Sequence, residues 1–208
     1  MYSRLLAPTS LARMLVARAL APGATAVDAT AGRGSDTRFL ARQVGPTGRV
    51  YAFDIQAAAL AATRQRLAEA ELLGRVELIE AGHERMRDFV TGPAQAVMFN
   101  LGYLPGSSHT IVTQPATTLR AIGQSLRLLA AGGLLTVVAY PGHPGGRAET
   151  EAVADYLLGL DREHYALLHC LLPKIRANSA RIFAVEKGNS ADAAELKRRD
   201  SRPDDNDG

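Results

Sequence analysis

Residues 24–37, ATAVDATAGRGSDT, decide the fold, because they describe an apolar strand that runs into a glycine turn and then into a helix. Glycine has no Cβ, so Gly32 and Gly34 let the backbone pass close to a ligand, while the free amides of the next helix point into the same space. A second strand, residues 49–54, ends in Asp54, about 20 residues after the turn, where an acid can hold a ribose diol. This arrangement predicts a binding site for a nucleotide-like ligand.

Two classes of ligand use such a turn, and the residues around it separate them. The dinucleotide fingerprint G-x-G-x-x-G, started at Gly32, needs a third glycine at the position of Thr37. Asp28 and Asp36 would repel a pyrophosphate, whereas either carboxylate can accept a hydrogen bond from an ammonium group. The turn therefore favours S-adenosylmethionine (SAM), whose methionine moiety is zwitterionic and carries no phosphate. A dinucleotide oxidoreductase and a plain strand, turn and helix with surface acids stay open as alternatives.

Size and charge bound the class of protein. Of the 208 residues, 47% are hydrophobic and the formal net charge is +3, so the chain can bury one substantial core. We expect one domain over residues 1–187, followed by a disordered, charged tail over residues 188–208 that has no apolar periodicity. Residues 1–50 hold seven arginines and two aspartates, which suits a polyanionic partner and, equally, a solvated surface.

Cysteine usage and hydropathy indicate the compartment. The one cysteine, Cys170, lies in an apolar run where we expect it to be buried, and a single thiol leaves no disulfide framework and no Cys/His zinc site. No apolar run is long enough to span a bilayer, and the N-terminus lacks a signal-peptide core. We therefore expect a cytoplasmic protein with no metal and no membrane partner.

Hydrophobic periodicity and turn residues predict helices that alternate with strands. The expected helices cover residues 9–20, 35–43, 56–73, 114–129 and 147–158, and the expected strands cover residues 24–28, 49–54, 75–80, 94–99, 134–140, 165–172 and 181–186. Such alternation gives a parallel sheet with helices on both faces, and the last two strands, joined without a helix, form an antiparallel pair. We expect an α/β, Rossmann-like fold with a seven-stranded, mostly parallel sheet, as in class I methyltransferases.

Local signals predict where three helices begin or end. Thr9 or Ser10 is expected to cap the first helix, and Ser35 the second. Gly74 is expected to close the third helix. A turn at residues 130–133, AAGG, should separate the fourth helix from the strand that follows it.

A second candidate group follows the fourth strand. In an open parallel sheet the ligand lies outside the carboxyl ends of the strands. Asn100-x-x-Tyr103 resembles the Asn-Pro-Pro-Tyr loop of methyltransferases that modify exocyclic amines. The Asn100 carbonyl oxygen can hold the N–H groups of an amine so that its lone pair points in line, and Tyr103 can stack on a base. A strand-end cap and a surface turn residue are the alternative interpretations.

Five histidines have different expected roles. His109 and His143 lie on loops near this edge of the sheet, where a neutral imidazole can take up the proton that an amine loses on methylation, although most loop histidines are merely solvated. His83 is expected beside an adenine. His164 and His169 are expected to be structural.

The chain resembles the YtqB/MnmM-type rRNA-methylase family of class I methyltransferases over nearly its whole length. The resemblance rests on residues 27–37 (VDATAGRGSDT), 51–56 (YAFDIQ), 99–106 (FNLGYLPG) and 140–146 (YPGHPGG). It implies SAM-dependent methylation of 5-aminomethyl-2-thiouridine to 5-methylaminomethyl-2-thiouridine at the tRNA wobble position. The implied partner is the anticodon stem-loop of tRNA, whose single-stranded bases can be splayed out.

The predicted site has a cofactor part and an acceptor part. The residues expected to bind SAM are Asp28, Ala29, Thr30, Gly32, Gly34, Asp36, Thr37, Asp54, Ile55, Gln56, Gly82, His83 and Asn100. The residues expected to be catalytic are Asn100, Tyr103, His109, Tyr140 and His143. An alkyl amine is mostly protonated at neutral pH, so the site must bind or generate the neutral form, and the candidates for the proton acceptor are His143, His109 and Tyr140.

The chain departs from the family pattern at two places. Arg33 stands where members often carry Asn, and Ser107-Ser108-His109 stands where Gly-Asp-His is common. An rRNA or small-molecule methyltransferase, and a non-catalytic RNA-binding protein on the same fold, stay open as alternatives. The oligomeric state is open as well, and a homodimer is compatible with the sequence.

Overall fold

The computed structural model describes residues 7–102, 113–171 and 180–189. The helices are α1 (Pro8–Ala19), α2 (Ser35–Gln43), α3 (Ala57–Glu69), α4 (Pro115–Leu128) and α5 (Gly146–Leu158). The strands are β1 (Thr25–Asp28), β2 (Arg49–Asp54), β3 (Val76–Glu80), β4 (Ala94–Asn100), β5 (Leu129–Ala139), β6 (Tyr165–Leu171) and β7 (Arg181–Lys187).

In the described part of the chain, these strands form one sheet in the order β3-β2-β1-β4-β5-β7-β6. β1 to β5 run parallel, and β7 is antiparallel to both of its neighbours, β5 and β6. The strand order reverses between β1 and β4, which is the switch point where open α/β sheets bind ligands. The expected seven-stranded, mostly parallel sheet with an antiparallel C-terminal pair is confirmed.

Two hydrophobic clusters cover the two faces of the sheet. On one face, strand residues such as Phe53 and Phe99 pack with Ile122 of α4 and Val153 of α5. On the other, alternate strand residues pack with α1, α2 and α3, through side chains such as Leu67. Because side chains of a strand alternate between faces, a strand buried on both sides is apolar throughout, and the sequence of β4 shows this pattern.

The expected caps of α1 and α2 are wrong. α1 begins at Pro8, whose fixed φ and missing N–H suit the first helical position, so Thr9 and Ser10 lie inside the helix. In α2 the cap position is Gly34, in the left-handed conformation with φ 75°, and Ser35 is the first helical residue. The Ser35 hydroxyl instead accepts a hydrogen bond from Arg13.

α3 ends four residues earlier than expected. Its closing residue is Glu71, with φ 56°, and not Gly74. The amide of Leu72 donates to the Leu67 carbonyl at 2.9 Å and that of Glu71 to Ala68 at 3.0 Å, the pattern of a Schellman motif. Leu72 and Leu67 share a hydrophobic cluster, so burial of Leu72 ends the helix before the glycine is reached.

The expected turn at residues 130–133 lies within β5. The pairing of β4 with β5 shifts register between Ala94 and Ala96, and Gly132 has φ 70° in the extra length. The glycines therefore form an irregularity inside a longer strand and do not precede it.

The described residues test three further expectations only in part. Cys170 is half-buried on β6, which is an edge strand, because one side of that strand has no neighbour in the described sheet. The domain boundary near residue 187 and the disordered tail stay predictions, since the description ends at residue 189. Among the described residues, no helix is both long and apolar enough to cross a bilayer.

Candidate active site

The carboxyl ends of β1, β2, β4 and β5 surround a cavity of about 790 Å³. Most of the described residues expected at the site contribute to its wall. These are Ala29, Thr30, Gly32, Asp36, Asp54, Ile55, Gln56, Gly82, His83, Asn100, Tyr140 and His143. The structure therefore brings the predicted cofactor and acceptor groups into one space.

Three predicted cofactor residues, Asp28, Gly34 and Thr37, are not part of this wall. The Asp28 carboxylate is buried and accepts hydrogen bonds from the Thr37 hydroxyl at 2.6 Å and from the Thr30 amide at 3.1 Å. Burial, with the nearby Asp36 charge, raises the pKa of Asp28 to about 7 despite these two donors. Both oxygens of Asp28 thus bond to the loop itself, and the expected contact of this carboxylate with a ligand ammonium group stays a prediction.

Asp36 lies on the cavity wall and already has a cationic partner. Nε of Arg13 donates to Oδ1 of Asp36 at 2.6 Å, and Nη2 of Arg13 donates to the Ser35 hydroxyl at 3.0 Å. The Asp36 side chain is buried, so this ion pair fixes α1 against the first turn of α2. Arg13 was one of seven arginines in a basic segment, and nothing in the sequence marks its partner.

Asp54 joins the second strand to the glycine turn. Its Oδ2 accepts from the Gly32 amide at 2.9 Å and its Oδ1 from the Gln56 amide at 2.9 Å. Each carboxylate oxygen keeps a further lone pair, so the fixed carboxylate can still accept from a diol. Ile55 follows at the cavity edge with 58% of its surface exposed, which offers an apolar face to a flat ring.

The glycine turn is held from below by α3. The Thr63 hydroxyl donates to the Gly32 carbonyl at 2.9 Å. A Cβ on Gly34 would lie 2.8 Å from two side-chain atoms of Thr63, and Gly34 has a positive φ that favours glycine. Gly34 therefore serves the close approach of the turn to α3, and its expected contact with a ligand stays a prediction.

His83 is buried in the wall in a defined protonation state. Its Nδ1 lies 3.2 Å from the Ala29 carbonyl oxygen, which can only accept, so Nδ1 carries the hydrogen. Burial lowers the pKa of His83 and keeps the ring neutral. The ring packs edge-on against Phe99 with centroids 5.5 Å apart. Nε2 is then a hydrogen-bond acceptor on a residue of the cavity wall, as expected beside an adenine amino group.

Asn100 ends β4 at the centre of the wall. Its backbone amide donates to the Thr30 hydroxyl at 2.8 Å, which joins the end of β4 to the loop that follows β1. Its Oδ1 is buried and has no hydrogen-bond partner among the described residues. Tyr103 and His109 lie outside the described residues, so their roles stay predictions.

The fifth strand delivers Tyr140 and His143. Burial, and to a smaller extent Asp36, raises the pKa of Tyr140 to about 12, so its phenol keeps its proton at neutral pH. This favours the histidines over Tyr140 as the proton acceptor, and the identity of the acceptor stays a prediction. Nδ1 of His143 lies 3.0 Å from the Pro144 carbonyl and therefore carries the hydrogen. Nε2 faces the start of α5, since a Cβ on Gly146 would lie 2.6 Å from it.

Several wall residues carry no motif in the sequence. Glu84 follows His83 in the chain and only that adjacency could have indicated it. Thr117 comes from the first turn of α4, and Thr113 and Gln114 precede that helix. They line the cavity because α4 packs against the sheet with its N-terminal end near the cavity. The hydrophobic periodicity of the helix predicts its buried face but not the position of this end.

The donors and acceptors of the cavity fit SAM. Asp54 and Ile55 match a ribose and an adenine face, and neutral His83 offers an acceptor to the adenine amine. Asp36 also lies on this wall, but its carboxylate is already paired with Arg13, so only its remaining lone pairs can accept from the ammonium group of the methionine moiety.

Residues 50–186 match the family described as "Putative rRNA methylase". The chain belongs to this rRNA methylase family. The family assignment agrees with the sheet order and with a cavity whose residues fit SAM.

Two solved structures share the fold over nearly their whole length. A "putative rRNA-methylase" from Clostridium thermocellum is 39% identical, with a TM-score of 0.85, over 86% of this chain and 97% of that chain. A "putative methyltransferase" from Streptococcus mutans, solved in complex with SAH, is 37% identical, with a TM-score of 0.79, over 90% of this chain and 99% of that chain.

A curated relative carries a more specific name. The chloroplastic tRNA (mnm(5)s(2)U34)-methyltransferase of Arabidopsis thaliana is 39% identical over 164 residues, which are 73% of this chain. The aligned part spans 59% of that relative's length.

Proposed function

We propose that this rRNA methylase family member transfers a methyl group from SAM to the amine of 5-aminomethyl-(2-thio)uridine at the tRNA wobble position, giving 5-methylaminomethyl-(2-thio)uridine. The observation that carries the proposal is the buried Oδ1 of Asn100, which has no partner among the described residues. A buried acceptor of this kind is costly until a donor reaches it, and an amine supplies such a donor. The name of the Arabidopsis relative supports the same chemistry.

The cofactor half of the cavity would hold SAM. Asp54 would accept from the ribose diol, and the Gly32 and Gln56 amides keep its carboxylate in place. His83 would accept from the adenine amino group through Nε2, and Ile55 would cover the ring. The chemistry that SAM supplies when bound is an electrophilic methyl group.

The acceptor half aligns the amine. Asn100 accepts one N–H through its carbonyl oxygen, which turns the nitrogen lone pair toward the cofactor half of the cavity. The Tyr140 phenol stays protonated, so its hydroxyl can donate a hydrogen bond. Its ring forms part of the cavity wall and excludes water from the acceptor half. An attacking amine must be neutral. Exclusion of water from the acceptor half favours the neutral form of the amine over the ammonium form, because desolvation penalises the charged form.

His143 is the proton acceptor in this account. Its Nδ1 donates to the Pro144 carbonyl at 3.0 Å, which orients the ring of a residue on the cavity wall. An imidazole at this place can take the proton that the methylated amine releases. The loop that carries His143 lies at the start of α5, on the same side of the cavity as Gly102.

The proposed RNA partner is the anticodon stem-loop, and the proposed place of action is the cytoplasm, where tRNA is modified. A homodimer stays a prediction. Methyl transfer from labelled SAM to three synthetic RNAs tests the substrate: a stem-loop with 5-aminomethyluridine at the wobble position, the same loop with uridine, and a ribosomal RNA fragment. We expect label only in the first. Equal labelling of the uridine loop or of the ribosomal fragment would contradict the proposal.

A further inference from the structure

A buried carboxylate next to the cavity has no part in the reaction described above. Glu149 lies in the first turn of α5 with 2% of its surface exposed, and it is not part of the cavity wall. Its Oε2 accepts from the Thr113 hydroxyl at 2.6 Å and its Oε1 from the Thr118 hydroxyl at 2.7 Å. In the described part of the chain no cation pairs with it. A buried carboxylate is costly unless hydrogen bonds satisfy its oxygens, and two threonine hydroxyls do so here.

The bond to Thr113 gives the hydroxyl a fixed direction. Because Glu149 takes the hydroxyl hydrogen, the oxygen of Thr113 turns a lone pair to the Gly102 amide, which donates to it at 3.0 Å. The Thr113 amide in turn donates to the Gly102 carbonyl at 3.1 Å. Gly102 and Thr113 thus form a closed pair that Glu149 orients.

This pair controls the backbone that carries Asn100. The Asn100 amide is tied to Thr30 and the Leu101 amide to the Val138 carbonyl at 2.8 Å. Gly102 is the third anchor, with φ 132° in the region that favours glycine. Loss of the third anchor removes one of the three fixed points of the backbone over residues 100–102, so the direction of this segment is no longer fully set.

We propose that Glu149 is a positioning residue for methyl transfer, which acts through Thr113 and Gly102 to hold the backbone after Asn100 in register with the acceptor amine. The proposal rests on the function proposed above. Glu149 does not touch the ligand, so its removal should impair the alignment of the amine and spare the affinity for SAM.

Thr113→Val and Thr113→Ser separate this role from simple packing. Valine has nearly the shape of threonine and cannot relay the bond, whereas serine keeps the hydroxyl. We expect Thr113→Val and Glu149→Gln to lower kcat by about 10- to 100-fold, because small errors in alignment have effects of that order. The SAM dissociation constant should change by less than about threefold, and Thr113→Ser should recover most of the lost kcat.

Thr150→Val is the matched control. Thr150, like Glu149, is buried in α5, and its hydroxyl donates within the helix to the Gly146 carbonyl at 2.7 Å. This variant should lose stability without the fall in kcat. If it loses as much kcat as Thr113→Val, or if Thr113→Val keeps full kcat, Glu149 serves packing alone.

Hydrogen exchange of the Gly102 amide reports on the relay without any RNA. We expect exchange to be faster in Thr113→Val and Glu149→Gln than in Thr113→Ser and Thr150→Val, by about tenfold or more. Unchanged protection of Gly102 in both relay variants would overturn the proposal. Because this measurement needs no substrate, it stays decisive if the RNA proves to be a different one.

Discussion

Asp54 and Gly32 are joined by a hydrogen bond of 2.9 Å from the glycine amide to the carboxylate, so the acid that ends β2 also holds the turn that follows β1. The two halves of the cofactor site are therefore a single unit. A residue expected only to accept from a ribose diol has a second role in keeping the turn closed. Mutation of Asp54 must affect both.

Asp54→Ala should weaken SAM binding by about 10- to 100-fold, because it removes the acceptor for the diol and two backbone bonds. Asp54→Asn keeps the size of the side chain and one carbonyl acceptor, so its loss should be smaller. Calorimetric titration of both variants with SAM measures this. Equal, unchanged affinity in the two variants would remove Asp54 from the cofactor site.

Gly34→Ala should lower the free energy of unfolding by about 1–3 kcal/mol, since alanine disfavours a φ of 75° and its Cβ would meet Thr63 at 2.8 Å. Thr63→Ala in the same chain should relieve the contact and leave only the backbone strain. Urea denaturation of the two single variants and the double variant tests the coupling. Strictly additive losses would show that the contact with Thr63 has no effect.

The stability of the fold should depend on pH through Asp28. Its pKa is raised from the ordinary value of 3.8 to about 7 by burial and by Asp36, so the folded state binds more protons than the unfolded state between these values. The free energy of unfolding should therefore fall as the pH rises from about 4 to 7. In Asp28→Asn, the fall in the free energy of unfolding between about pH 5 and pH 7 should be smaller than in the wild type by at least about 1 kcal/mol. Urea denaturation at the two pH values measures this. An identical slope in the variant would contradict the assignment.

Lys187 should contribute to stability by capping α4. Its Nζ donates to the carbonyl of Leu126 at 3.2 Å and to that of Leu129 at 2.8 Å, where the helix leaves carbonyl groups without partners. Lys187→Met should cost about 1–2 kcal/mol, seen as a lower Tm in thermal unfolding. Glu186→Gln, an exposed neighbour on the same strand, is the control and should leave Tm nearly unchanged.

The sequence predicted the sheet and the cofactor wall because both depend on local signals. Apolar strands, the glycine turn and the acid at the end of β2 lie within short stretches, and each keeps its meaning in the fold. The end of α3 depends on packing, since burial of Leu72 closes the helix before Gly74 is reached. The start of α1 is instead set by a local signal, Pro8, which takes precedence over Thr9 and Ser10. The pairs Arg13–Asp36 and Thr113–Glu149 lie 23 and 36 residues apart, and periodicity carries no information about such contacts.

Nucleoside mass spectrometry tests the central claim most directly. A tRNA that carries 5-aminomethyl-2-thiouridine at the wobble position is incubated with SAM and either the wild-type protein or Asn100→Ala, and its nucleosides are then analysed. The account predicts that the wobble nucleoside gains one methyl group with the wild type and that Asn100→Ala slows this gain by about 100-fold or more. An unchanged wobble nucleoside, from a protein that binds SAM in the same buffer, would contradict it.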